Sequence, residues 1–230
     1  MIFWGFALVV VLPTAFTAAC NGPHPFDCPK FEKILKDCRL SCPDTSPAII
    51  QDGEFQNVSI PNYFYLDGTD MVLAMDTGER CELRHNYEWV IGQTDTLYQA
   101  HIKLVPNPAD RPGSFTFMQI GADIPAEYEQ GPVLMISWRS SFQDESNHLW
   151  ARTRDLVVGP KTLEYFDLGP LPEGCFDLTV LVKNRIVFVW INGHLKVDYP
   201  WDHLNALNAN FRTGVYLHPP GLDMQPIYFD

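Results

Sequence analysis

The chain has few basic residues for its size, and this shortage excludes one class of partner. Its 230 residues include 16 Lys and Arg against 28 Asp and Glu, which gives a formal net charge of -12 at pH 7. Proteins that bind nucleic acid need Lys and Arg to neutralise phosphates, so no nucleic-acid partner is expected. An acidic total still permits a locally basic site for another polyanion. The positions of the arginines therefore matter more than their number.

Long apolar runs are also scarce. The first, over residues 2–12, is too short to span a bilayer, and no later run is more apolar. Small residues at 17–19 follow it, a pattern typical of a cleaved signal peptide over residues 1–19. We therefore predict a secreted, extracellular protein with no membrane partner. The sequon that begins at Asn57 fits glycosylation in the same compartment.

The cysteines lack the repeated C-x-x-C spacing of a structural zinc site. All six cysteines follow residue 19. An even number in a secreted chain indicates disulfides, so up to three bridges are predicted. Spacing alone does not choose among the pairings. The candidates are Cys20, Cys28, Cys38, Cys42, Cys81 and Cys175. Residues 20–48 hold four of them and form a small cysteine-rich N-terminal segment, with one helix predicted over residues 30–37.

No long helix and no internal repeat is indicated after residue 48. Short runs of β-branched and aromatic residues alternate with Gly, Pro, Asn and Asp clusters, which is typical of an all-β sandwich of antiparallel sheets. Asn192-Gly193 between two such runs predicts a tight hairpin. Residues 49–230 are thus expected to form one monomeric domain. The clearest strands are predicted over residues 97–104, 114–121, 133–139, 148–154, 176–182, 186–191 and 195–199.

Three predicted strands carry polar side chains at period two, which places each set on one face of a sheet. An apolar face opposite Arg, Tyr and His indicates a core side and a binding side. Each set alone could equally be the ordinary solvated face of an antiparallel sheet. The three sets are Arg80, Glu82 and Arg84; then Phe115, Phe117, Gln119 and Gly121; and then Arg212, Gly214, Tyr216 and His218.

Together these motifs resemble those of jelly-roll polysaccharide lyases, namely the family-7 alginate lyases and the glucuronan lyases. Residues 80–84 (RCELR) resemble an R-x-E-L-R strand, residues 117–121 (FMQIG) a Q-I-H strand, and residues 210–216 (NFRTGVY) a Y-F-K-A-G-V-Y strand. The resemblance implies a concanavalin-like jelly roll that cleaves an acidic, uronate-containing polysaccharide by β-elimination. It implies no cofactor, although some relatives of the fold carry a structural calcium.

The same resemblance implies roles for individual residues. Arg84 and Gln119 would neutralise the uronate carboxylate as enolate-like charge develops, and Tyr216 would transfer the proton. Gly121 replaces the family histidine, so His218, on the same predicted face, and His85, next to Arg84, are the candidates for its part. Guanidinium groups suit bidentate contacts with sugar carboxylates. The predicted substrate-binding residues are Arg80, Glu82, Arg212, Arg139 and Arg152.

Two other functions compete with a lyase. A glycoside hydrolase on the same sandwich would need two carboxylates, and the motif strands hold one, Glu82, which the flanking arginines are expected to keep ionised. A non-catalytic, lectin-like carbohydrate-binding module would use the same face without proton transfer, and the missing histidine favours it. No metal site is predicted, because no acidic run matches a calcium loop.

Overall fold

The computed structural model describes residues 20–42, 49–51, 54–56, 58–75, 80–106, 113–126, 128, 131–154, 163–217 and 227–229. The predicted signal peptide over residues 1–19, the sequon asparagine Asn57 and the candidate His218 lie outside these residues. Within this described part of the chain, no helix is both long enough and apolar enough to cross a membrane.

The elements are nearly all strands. A 3-10 turn (Pro25–Asp27) precedes one helix, α1 (Pro29–Leu35), which buries Phe31 and Leu35 and confirms the helix predicted there. The strands, in chain order, are β1 (Cys38–Ser41), β2 (Ile49–Ile50), β3 (Phe64–Asp67), β4 (Asp70–Leu73), β5 (Arg80–His85), β6 (Trp89–Val90), β7 (Thr96–Leu104), β8 (Ser114–Ala122), β9 (Leu134–Phe142), β10 (Glu145–Arg154), β11 (Leu163–Pro170), β12 (Cys175–Lys183), β13 (Ile186–Ile191), β14 (His194–Pro200), β15 (Asn208–Leu217) and β16 (Ile227–Phe229).

These strands form two antiparallel sheets. The large sheet has the order β11-β10-β9-β8-β15-β5-β1-β2, with β6 beside β15. The small sheet has the order β14-β13-β12-β7-β16-β4-β3. The all-β sandwich prediction is confirmed, and so is the hairpin between β13 and β14. Asn192 and Gly193 there have φ values of 50° and 75°, the left-handed conformation that a two-residue hairpin turn requires.

The core lies between the two sheets and fixes which way β15 faces. The Tyr98 ring of β7 packs on Phe211 at 5.4 Å between centroids, and its hydroxyl lies 2.9 Å from Thr213 Oγ1. Since alternate side chains of a strand point to opposite faces, Phe211 and Thr213 face the core. Arg212 and Tyr216 consequently point outward, away from the small sheet.

Strict alternation fails in β8, and this corrects one sequence prediction. Between Thr116 and Met118, β8 has one residue more than its partner β9, so Phe117 lies at a bulge. The Phe117 ring packs edge-on against Phe176 of the small sheet, with centroids 6.1 Å apart. Phe117 therefore points into the core, as the buried Phe115 does, and the prediction that these two rings share a face with Gln119 is wrong. The bulge adds the step that returns Gln119 to the outer face.

The cysteine-rich segment is part of the sandwich rather than an appendage to it. Strand β1 pairs with β5, which places Arg39 opposite Arg84. The disulfide Cys42–Cys81 joins the end of β1 to β5. A second disulfide, Cys20–Cys28, lies at the start of the segment.

Two of the six cysteines form no disulfide, so the prediction of up to three bridges is reduced to two. Cys38 is buried in β1, and burial, reinforced by the negative charge of Asp37, raises the pKa of its thiol to about 12. Cys175 is exposed at the start of β12. The two thiols belong to different sheets, which explains why they do not pair.

This pairing predicts the outcome of a thiol titration. We expect one thiol to react with dithiobis-nitrobenzoate in the native protein, and two after denaturation without reductant, because Cys175 is exposed and Cys38 is buried. The Cys175→Ser variant is the control and is expected to show no native reaction. A native protein without a reactive thiol, or a reactive Cys175→Ser variant, would contradict the assignment.

Candidate functional site

The outer face of the large sheet brings together the three motifs recognised in the sequence. Strands β5, β15 and β8 are neighbours, and their register sets Arg212 opposite Arg84 on one side and opposite Gln119 on the other. Tyr216 lies opposite Arg80 and Thr116 in the same way. Residues that are distant in the sequence, such as Arg84 and Arg212, are thus cross-strand neighbours.

Six side chains, most of them cationic, lie in one line across the outer face of the large sheet. Adjacent strands are about 4.8 Å apart, so six positions in register span roughly 24 Å. We call this line the arginine row. Its members, on β1, β5, β15, β8, β9 and β10, are Arg39, Arg84, Arg212, Gln119, Met135 and Arg152.

Glu82 is a buried carboxylate beside the arginine row. Gln119 Nε2 donates a hydrogen bond to Glu82 Oε1, and Arg80 Nη1 lies 3.8 Å from Glu82 Oε2. Burial raises the pKa of Glu82, and the Gln119 hydrogen bond with the positive charges of Arg212, Arg80 and Arg84 opposes this. The prediction that the arginines keep Glu82 ionised left out desolvation, which acts in the other direction and is the larger effect.

Burial also acts on Arg212. It lowers the pKa of this guanidinium; the negative charge of Glu82 opposes that effect, and the positive charges of Arg84, Arg80 and Arg39 add to it. An arginine nevertheless keeps its charge in proteins. Arg212 is therefore a partly desolvated cation, and a desolvated cation attracts an anion more strongly than one in water.

Tyr216 lies beside the arginine row and is in contact with Arg80. The guanidinium carbon of Arg80 is 4.9 Å from the centroid of the Tyr216 ring, within the range of a cation–π interaction. Gly214 lies between Arg212 and Tyr216 with a φ of +141°, and a Cβ there would collide with the Cys81 carbonyl. The glycine thus permits the close approach of β5 that brings Arg80 to Tyr216.

His85 does not face the arginine row. It pairs with Cys38 of β1 and follows Arg84, so it lies on the core side of β5 with Leu83. Burial lowers the pKa of His85, and the negative charge of Asp37 opposes this. The imidazole proposed from the sequence as a candidate for the missing histidine therefore points away from the arginine row, because the pairing of β5 with β1 continues regularly to residue 85.

The lowered pKa of His85 predicts a stability that depends on pH. Between its folded pKa and the unfolded value of about 6.5, the unfolded chain binds a proton that the folded chain does not. The free energy of unfolding is thus expected to fall as the pH drops below about 6.5. A His85→Gln variant should flatten this slope in urea titrations and retain its activity. An unchanged slope would contradict the argument. His194→Gln, at an exposed hairpin position, is the control and should keep the slope.

The two arginines predicted farther along the sheet occupy different positions. Arg152 belongs to the arginine row and contacts the Met135 sulfur. Arg139 lies outside the row, opposite His148 on β10, with its guanidinium carbon 4.0 Å from the Phe142 ring centroid and 5.5 Å from that of Tyr165. Arg152 therefore lies on the same face and in the same register line as Arg84, and Arg139 lies to one side of that line.

Sequence reasoning missed two residues of this face. Arg39 lies in the cysteine-rich segment, where the alternation of apolar and polar residues in 38–41 (CRLS) was the available signal of a short strand. Asn210 precedes Arg212 on β15 and accepts a hydrogen bond from its Nε at 3.1 Å. Asn210 was within the recognised motif, but only the pairing of strands reveals its contact.

The described residues offer no metal centre. No three His, Cys, Asp or Glu side chains among them approach closely enough to share an ion. Acidic side chains beside the arginine row are engaged by neighbours, since Gln119 donates to Glu82 and Arg84 Nη2 donates to Glu88 Oε1 at 2.9 Å. The positive charge of this face is supplied by guanidinium groups.

Comparison with known proteins points to one family. The profile of a family described as alginate lyase matches residues 35–225. An alginate lyase from Photobacterium sp. (strain ATCC 43367) is 25% identical over 198 residues, which cover 72% of this chain and 69% of the relative. The structure of alginate lyase AlyC3 in complex with dimannuronate has a TM-score of 0.74 at 18% identity, covering 90% of this chain and 91% of that one. The family-7 alginate lyase AlyA1 from Zobellia galactanivorans has a TM-score of 0.60 at 17% identity, covering 81% and 83%. The sandwich is therefore the jelly roll of these enzymes.

Proposed function

This chain belongs to the alginate lyase family, and on that premise we propose that it cleaves alginate by β-elimination on the outer face of its large sheet. One observation carries the proposal. Arg84, Arg212 and Gln119 are cross-strand neighbours, and Tyr216 follows on the same face of β15. Three groups that can hold a carboxylate thus lie beside one group that can transfer a proton.

The reaction determines what these groups must do. The C5 proton of a uronate leaves, its electron pair forms the C4–C5 double bond, the C4–O4 bond breaks, and O4 takes a proton. Negative charge develops on the carboxylate in the transition state, where Arg84 and Gln119 stabilise it. We assign both proton transfers to Tyr216, whose phenolate oxygen takes the C5 proton and whose phenol returns it to O4. The Arg80 guanidinium packs 4.9 Å from the centroid of the Tyr216 ring and orients the ring on the outer face of the sheet.

The arginine row supports this proposal for a protein whose net charge is negative, because it offers a polyanion a locally basic face. A line of roughly 24 Å across six strands is long enough for several sugar rings. Arg39 and Arg152 mark its two ends, and they can bind the carboxylates of sugars on either side of the cleaved bond. We propose that the polymer lies along this row, perpendicular to the strands.

A direct assay tests the proposal. Purified protein is incubated with alginate, polymannuronate, polyguluronate and glucuronan, and ultraviolet absorbance reports the unsaturated product. Absorbance is expected to rise with alginate; the response to the other three polymers defines the specificity. Carboxyl-reduced alginate is the control and is expected to give no product. Binding of alginate without any product would instead identify a lectin-like carbohydrate-binding module.

We further propose that the protein acts outside the cytosol. The disulfides Cys20–Cys28 and Cys42–Cys81 support this, since such bonds persist in oxidising compartments. The test is expression of the full chain in a secreting eukaryotic cell. Protein in the medium whose gel mobility changes on treatment with a glycosidase, and does not change in an Asn57→Gln variant, would support both secretion and the sequon. Retention in the cytosol would contradict the proposal.

A further inference from the structure

Gly121 leaves a space on the outer face of β8 that Arg212 fills. A Cβ at position 121 would lie 2.7 Å from Arg212 Nη2 and 2.9 Å from both Cζ and Nε. These distances are shorter than a van der Waals contact, so the guanidinium lies directly against the glycine backbone. Any residue other than glycine at 121 would displace it.

The neighbours of Arg212 hold the guanidinium in this position. Its Nε donates to Asn210 Oδ1 at 3.1 Å, and Asn210 lies opposite Gly121 across β8 and β15. Gln119 is the other cross-strand neighbour, and its amide is engaged by the buried Glu82. The guanidinium is consequently positioned before any ligand binds, which reduces the entropy lost when it binds one.

We propose that Arg212 binds the uronate carboxylate at the point where the resembled lyases carry a histidine on β8, and that Gly121 is the residue that permits it. The inference rests on the proposed function and gives Arg212 a specific role in it. A guanidinium binds a carboxylate through two parallel hydrogen bonds and, unlike an imidazole, keeps its charge at neutral pH. It does not accept a proton as an imidazole can, so proton abstraction is left to Tyr216.

A double-mutant cycle tests this inference. Gly121→Ala adds one methyl group whose nearest atoms belong to the flexible end of Arg212, so the protein is expected to fold while the guanidinium moves. Gly121→Ala and Arg212→Ala should each lower kcat/KM on alginate by about 100-fold, the effect of removing one charge-stabilising donor. The double variant should be no worse than Arg212→Ala alone, because the methyl group then has nothing to displace. Lys183→Ala, which removes an exposed cation of the small sheet, is the control and should leave kcat/KM unchanged.

The outcomes separate this inference from the proposed function. If the native protein cleaves alginate but Gly121→Ala retains full kcat/KM, or the two effects multiply in the double variant, the role of Arg212 is overturned and the lyase stands. If the native protein binds alginate without cleaving it, the same cycle measured on the dissociation constant decides the role of Arg212. If it neither cleaves nor binds alginate, both are overturned. Melting temperatures of all variants check that they fold.

Discussion

Replacement of Tyr216 with Phe is expected to lower kcat on alginate by about 100- to 10,000-fold, the range that a positioned proton-transfer group contributes. The variant keeps the ring, and therefore the contact with the Arg80 guanidinium, but loses the oxygen that accepts and returns the proton. Substrate affinity should change little, because the arginine row is intact. Initial rates over a range of alginate concentrations separate the effect on kcat from that on KM.

The matched control is Tyr98→Phe. The hydroxyl of Tyr98 is 2.9 Å from Thr213 Oγ1, on the core side of the same strand β15. Its removal should cost about 1 kcal/mol of the free energy of unfolding, the net contribution of a typical hydrogen bond, and leave kcat unchanged. If Tyr216→Phe keeps its kcat, the proton transfers belong to another group. If both variants lose activity equally, the loss reflects distortion of β15.

Replacement of Gln119 with Leu is expected to lower kcat on alginate by about 100- to 1,000-fold, as the loss of one preorganised donor to developing charge does. The same change removes the amide that donates to Glu82 Oε1. That hydrogen bond lowers the pKa of Glu82 against the larger effect of burial, so its loss raises the pKa further. The unfolding free energy is expected to fall by about 1–3 kcal/mol, the cost of an unsatisfied buried polar group.

The loss of stability in Gln119→Leu should depend on pH in one direction, because it acts through the ionisation of Glu82. A carboxyl whose folded pKa is raised destabilises the protein most when the pH forces it to ionise, so the difference between Gln119→Leu and the native protein should grow as the pH rises. Urea titrations at acidic and neutral pH measure it. Gln99→Leu makes the same substitution at an exposed position of β7 and should change neither kcat nor the pH dependence. A stability loss for Gln119→Leu that is independent of pH would show that Glu82 is not its cause.

Local patterns in the sequence were sufficient to predict the strands that form hairpins. Strand β13 matches its prediction over residues 186–191, because this segment is a continuous run of β-branched and aromatic residues and Asn192-Gly193 provides the turn. Strand β11 was missed. Its sequence includes Glu164, Asp167, Gly169 and Pro170, which disfavour a strand locally, and it is held in the sheet by pairing with β10.

The alternation of residues and the three motifs predicted part of the site. They placed Arg84, Gln119, Arg212 and Tyr216 on one face, as the register does. The remaining features depend on contacts between segments distant in the sequence. The bulge at Phe117 is defined by the partner strand β9, and the pKa direction of Glu82 depends on burial that a sequence does not display.

If the arginine row holds the polymer as proposed, the junction between β1 and β5 links substrate binding to disulfide formation. Arg39 reaches the arginine row on a strand whose end is cross-linked by Cys42–Cys81, residues separated by 39 positions. Closing a loop of this length removes about 4 kcal/mol of chain entropy from the unfolded state, and the four-residue β1 is bordered on the side away from β5 by a strand of two residues, β2. In a molecule whose Cys42 and Cys81 remain reduced, the residues at the centre of the arginine row would still assemble. The Arg39 end of the row would then not be held in place by the disulfide. Oxidative folding would then determine how many sugars the protein holds, while the cleavage chemistry itself would not depend on it.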